Sequence, residues 1–202
     1  AITALNGGGA LTAPVIVDVN AGHTETLAGP ILLTAMGTSS NTITIQKNGG
    51  GANPKLTSYT GNNHFRFLNI NHEFHDKIDW DFAQYGKLWT YNLNYFEFLN
   101  QSDAKIYKDQ FYEIIFEFIS KLPKLKNANE PFPTSLRVIN WVKYFIKNEN
   151  IGDQFLLSLY NQLYILNDNK EFHLMGNHLL ENGFALVLGG VFFQDKYIYN
   201  QG

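Results

Sequence analysis

From residue 103 onward the apolar residues return every three to four positions, the spacing of one face of a helix. Ile106, Phe111, Ile114, Ile115, Phe118 and Ile119 predict a helix over residues 103–122, opened by Ser102 or Asp103 and ended by Pro123. Leu136, Ile139, Trp141, Val142 and Phe145 predict a second, capped by Thr134 or Ser135. Asp153 opens a third through Phe155, Leu156, Leu159, Leu163 and Leu166. A fourth begins near Glu171 or Leu174 and runs to about Phe193. Residues 80–99 read as helical in their second half, from Tyr91. Helices of this length joined by short connections predict antiparallel helical hairpins.

The first 62 residues follow another rule. Short β-branched runs, Val15-Ile16-Val17-Asp18-Val19, Ile31-Leu32-Leu33-Thr34 and Thr42-Ile43-Thr44-Ile45, alternate with turn-forming stretches such as Asn20-Ala21-Gly22 and Asn48-Gly49-Gly50-Gly51. Such spacing suits a meander, a small sandwich or the coils of a parallel β-helix. The expected fold class is therefore α+β: a small N-terminal β segment over residues 1–62, then an all-α part over residues 63–202.

Composition sharpens that division. Residues 1–63 hold four charges, Asp18, Glu25, Lys47 and Lys55, and a single aromatic, Tyr59. They also hold ten of the 17 glycines. Over the whole chain only 16% of residues are charged, and 15 Lys+Arg stand against 18 Asp+Glu. That balance argues against a nucleic-acid binder, whose affinity needs a basic face. The absence of cysteine excludes a disulfide scaffold, a thiolate metal site and a cysteine nucleophile. The most apolar run, residues 183–193, is too short to span a bilayer, so no membrane span is expected. No signal-peptide pattern is visible at the start of the chain.

Three stretches go beyond generic helix. They are Tyr85-Gly86-Lys87-Leu88-Trp89-Thr90-Tyr91-Asn92-Leu93-Asn94-Tyr95-Phe96, Glu130-Pro131-Phe132-Pro133-Thr134-Ser135-Leu136-Arg137-Val138-Ile139-Asn140-Trp141, and Gly176-Asn177-His178-Leu179-Leu180-Glu181-Asn182-Gly183. In this order and at these distances they resemble the N-terminal helical domain of the heparinase II/III superfamily of polysaccharide lyases, over roughly residues 65–199. The resemblance implies an incomplete α/α toroid, a secreted or periplasmic setting, and no cofactor. It implies β-elimination on an anionic, uronate-containing polysaccharide: a glycosaminoglycan, an alginate-like polymer or a bacterial exopolysaccharide.

In that chemistry the proton at C5 is poorly acidic beside a carboxylate anion, and a group that neutralises the carboxylate lowers the barrier. The resemblance assigns this role to Asn177, with His178 as a helper at the same carboxylate. The family's catalytic Tyr and second His lie further along its chain, and no residue here matches either. The expectation is a fragment inactive alone. A non-catalytic carbohydrate-binding or surface module and a chimeric truncated reading frame stand beside it. Residues 1–61 resemble instead the opening coils of secreted pectin-lyase-like β-helix proteins, through stretches such as Gly37-Thr38-Ser39-Ser40-Asn41-Thr42-Ile43-Thr44.

The other candidates each carry two readings. Arg137 would grip a sugar carboxylate bidentately or form a buried ion pair. Tyr91, Asn92 and Tyr95 would wall a sugar site or serve as core, and Asn140 adds an amide beside them. Glu181 lies four residues after Asn177 and three after His178, so it would orient either one or simply stabilise its helix. His72, Glu73 and His75 lack the His-Glu-x-x-His spacing of a helical metal site. Half a toroid leaves inner faces uncovered, which predicts self-association.

Overall fold

The computed structural model describes residues 15–20, 43–48, 58–148, 151–174 and 176–202. The chain divides into two units, Ala1–Leu56 and Thr57–Gly202. In the first, β1 (Val15–Asn20) pairs in parallel with β2 (Ile43–Asn48), Val15 opposite Ile43 and Asn20 opposite Asn48. The predicted strand at residues 31–34 lies outside the described residues.

The second unit starts at Thr57, before the shift in composition. Residues Gly61, Asn62 and Asn63 all take positive φ and form the turn that brings Phe65 opposite Tyr59. An antiparallel hairpin follows, β3 (His64–Phe67) and β4 (Ile70–Glu73), which the sequence pattern did not predict. Its turn residues, Leu68 and Asn69, are both left-handed. Gln101 pins the start of the unit, accepting from the backbone of Ser58 and Tyr59 and donating to the Tyr59 carbonyl at 2.8 Å.

Among the described residues six α-helices complete the unit: α1 (Lys87–Tyr95), α2 (Lys108–Lys121), α3 (Pro131–Lys147), α4 (Asp153–Asp168), α5 (Gly176–Phe193) and the single turn α6 (Lys196–Tyr199). The fold class is thus α+β. α3 lies at the centre, packed on α1, α4 and α5. It begins three residues earlier than Thr134, because Pro131 fits the first helical position, where no N–H is needed. Thr134 and Ser135 are buried inside its first turns, and their hydroxyls donate to the Ala128 and Pro131 carbonyls.

The core between β3–β4, α1, α2 and α3 is aromatic. Trp80 stacks on Phe96 with ring centres 5.1 Å apart, and Phe118 and Trp141 meet Phe96 edge-on. Phe96 ends α1 in the left-handed conformation, so the predicted helix through Leu99 breaks there and resumes as a 3-10 turn at Glu97–Asn100. On α5, Asn182, Ala185, Leu186, Gly189 and Gly190 face inward. Leu180, Phe184 and Val191 lie exposed along the other face. Among the described residues no helix is long and apolar enough to cross a membrane.

Candidate functional site

The Asn177–His178 pair sits at the start of α5, beside the start of α3. Two features fix that corner. Asp81 accepts from the backbone of Lys126 and Asn127, and Asn129 donates to the carbonyls of Leu122 and Leu125, so the loop leading into α3 is held. The α3 entry then presents Glu130 and Phe132. On the α5 side, the backbone N–H of Glu171 donates to Asn182 Oδ1 at 2.8 Å, tying the turn before α5 to the body of that helix.

His178 is gripped twice. Its ring lies over Phe132, centres 4.3 Å apart and tilted by 31°. Its Nδ1 lies 3.1 Å from Oε1 of Glu171, whose side chain is only 9% exposed while that of His178 is 39% exposed. Glu171 Oε2 in turn accepts from Asn182, which also donates to Ser135 Oγ at 2.9 Å. Asn177, one residue earlier, is exposed, and its side chain makes no hydrogen bond among the described residues. It is the free amide at this corner.

The rings continue away from His178. Phe132 meets Tyr95 at 6.1 Å, and Tyr95 meets Tyr91 at 6.1 Å. Tyr91 donates to Glu130, and Lys87 bridges to the same carboxylate at 2.9 Å while lying over the Tyr91 ring. The bond to Glu130, with help from Tyr91, raises the Lys87 ammonium above its ordinary value, so the cation persists. Burial, followed by the Glu130 contact, raises the Tyr91 phenol. Burial chiefly pushes the Tyr95 phenol up to about 12, so it stays protonated as a hydrogen-bond donor. A row of four rings on three elements therefore leads from a Lys–Glu pair to a free amide and a histidine.

Other candidates lie elsewhere or turn inward. Asn92 donates back to the Leu88 carbonyl within α1. Asn140 donates to the Tyr95 carbonyl at 3.0 Å and holds α1 against α3. Arg137 is fully buried, so a sugar carboxylate does not reach it in this structure. Nor does it form an ion pair among the described residues: its donors go to Gln162 Oε1, Thr134 Oγ1 and the carbonyls of Asn94 and Ala128, and its guanidinium lies 4.9 Å from the Phe118 ring centre. Burial lowers it to about 9, still a cation at neutral pH. Among the described residues the Glu181 side chain makes no hydrogen bond or ion pair with Asn177 or His178. Glu171 takes the place expected for it, because a turn that precedes the helix brings in a carboxylate that own-helix spacing does not reveal.

The His72 ring is enclosed by aromatics, stacked on Phe82 at 4.2 Å with Phe74, Tyr85 and Trp89 around it. Burial, then the nearby His75 and His64, lowers its pKa. Among the described residues no group of three or more His, Cys, Asp or Glu is placed to hold a metal ion. A cavity of about 90 Å³ lies at the far end of α3, lined by residues including Tyr112, Tyr144, Asn148 and Phe155, and is separate from the histidine corner. No family model, curated protein or solved structure matches the chain.

Proposed function

We propose that the helical unit is the carboxylate-neutralising part of a polysaccharide lyase related to the heparinase II/III superfamily, acting on an anionic, uronate-containing polymer. The observation that carries this reading is the exposed Asn177 amide next to a histidine fixed by a buried carboxylate. A free amide donates two N–H groups, which suits a uronate carboxylate and the negative charge that grows on it as C5 loses its proton. His178, Phe132 and Tyr91 are part-exposed and offer ring surface to sugar rings, with the buried Tyr95 behind them, and the Lys87–Glu130 pair offers polar contacts at the end of the row. The parallel pairing of β1 and β2 supports reading the first unit as coils of a β-helix rather than a meander. The helical hairpins centred on α3 are what an incomplete α/α toroid would contain.

A secreted or periplasmic setting goes with a polymeric substrate. Self-association would use the α5 face that exposes Leu180, Phe184 and Val191. A sedimentation coefficient independent of concentration would count against it.

The test of the reading is binding and turnover on hyaluronan and alginate, with Asn177→Ala and Phe132→Ala as variants. Binding that weakens in both variants is the expected result. Ultraviolet absorbance of an unsaturated uronate product then separates a lyase from a non-catalytic module. A rise that disappears in Asn177→Ala supports the lyase, and binding without a rise supports the module. Unchanged binding in both variants would remove this corner from the sugar site.

A further inference from the structure

The hydrogen bonds around Glu171 can be followed from a donor whose identity is certain. The Glu171 backbone N–H is a donor only, so the Asn182 atom that receives it at 2.8 Å is the amide oxygen. The Asn182 nitrogen is then the atom facing both Ser135 Oγ and Glu171 Oε2. Ser135 spends its own hydrogen on the Pro131 carbonyl at 2.9 Å and meets Asn182 with a lone pair. Oε2 of Glu171 is therefore an acceptor. An ionised Glu171 accepts at Oε1 as well, and the His178 Nδ1 facing it at 3.1 Å must carry the ring proton. Phe132 fixes the plane of the same ring, and Nε2 has no hydrogen bond among the described residues.

We infer that Glu171 is a positioning residue that keeps a proton on Nδ1 of His178, so that in the neutral ring Nε2 is the bare acceptor for a sugar hydroxyl while Asn177 alone serves the uronate carboxylate. The two neighbours then divide the ligand between them. A bare nitrogen lone pair repels a carboxylate oxygen and welcomes an O–H. The role of the sugar hydroxyl rests on the polysaccharide reading; the position of the ring proton does not.

The test is nitrogen-15 NMR of the histidine rings in the full chain without saccharide, above the titration of the imidazoles. His178 is assigned by the signal lost in His178→Gln. The expected spectrum has a protonated Nδ1 and a bare Nε2, and in Glu171→Leu the proton shifts toward Nε2. A wild-type proton on Nε2 would overturn the inference, and that reading needs no variant to fold. In parallel, hyaluronan and alginate affinities should fall by roughly tenfold in Glu171→Leu, the worth of about one hydrogen bond. Equal affinity in a folded variant would overturn the positioning role. Failure of the wild type to bind either polymer would sink the polysaccharide reading and leave the tautomer result standing.

Discussion

Arg137 donates from Nε to Gln162 Oε1 at 2.6 Å, joining α3 to α4, and among the described residues no carboxylate pairs with it. Its other donors hold Asn94 at the end of α1 and Ala128 in the loop before α3. One side chain thus ties α1, α4 and the loop before α3 to α3. Arg137→Leu leaves at least two buried acceptors unpaired, at about 1–3 kcal/mol each. Urea denaturation should show a loss of about 3 kcal/mol, and Arg137→Lys should recover little because an ammonium lacks the planar fork. A loss well below about 1 kcal/mol would mean that the acceptors are satisfied in another way.

Two glycines of α5 should respond oppositely to alanine. A Cβ on Gly190 would stand 2.5 Å from the Tyr199 backbone nitrogen, and backbone cannot swing aside. At Gly183 the nearest atom would be 3.7 Å away, an ordinary contact. Gly190→Ala should destabilise by about 1–3 kcal/mol through overpacking. Gly183→Ala should be neutral or gain up to about 1 kcal/mol from helix propensity. Thermal melts of the two variants decide it, and a stable Gly190→Ala would contradict the close seating of α6 on α5.

The hairpin turn holds Leu68 at φ 53° and Asn69 at φ 62°. A leucine pays for that left-handed backbone, and its side chain is exposed, so little burial compensates. Leu68→Asn or Leu68→Gly should stabilise by about 1 kcal/mol, since paired positive φ angles favour Asn and Gly. A drop in melting temperature would show that the Leu68 side chain has a contact worth more than the backbone strain.

Asp195 caps α6 by accepting from the Ile198 N–H and also receives the hydroxyls of Tyr160 and Tyr164. The Ile198 bond first, then Tyr160, lowers its carboxyl below the ordinary value. A carboxyl depressed by folding adds stability above its unfolded pKa and loses it as pH falls through the folded one. Wild type should therefore exceed Asp195→Ala in stability at neutral pH, and the gap should close in strong acid. Urea midpoints at the two pH values measure the gap, and a constant difference would contradict the linkage.

The helices were readable where one face is apolar at a spacing of three to four, as in Phe111, Ile114, Ile115 and Phe118. Elsewhere a tertiary contact outweighs the local signal. Phe98 and Leu99 continued an apolar helix pattern, yet Phe96 turns left-handed so that its ring can stack on Trp80. The β3–β4 hairpin lacked a conventional turn pair, because Leu68 occupies a position suited to Asn or Gly. At the candidate site, Asn177 and His178 were visible as a motif. Glu171, Asn182 and Ser135 were not visible as their support, because that network joins two helices and a turn through contacts distant in sequence. Arg137 stands out in the sequence as a charge on an otherwise apolar helix, but the neutral acceptors it holds come from α1, α4 and the loop before α3, which its own helix spacing does not reveal.

The most direct test of the site is the coupling between Asn177 and the substrate carboxylate. Affinity should be measured by calorimetry for hyaluronan and for its carboxyl-reduced form, with wild type and Asn177→Ala. Wild type should prefer the acidic polymer, and Asn177→Ala should bind both forms alike. A preference that survives intact in Asn177→Ala, or a wild type indifferent to the carboxylate, would contradict that coupling.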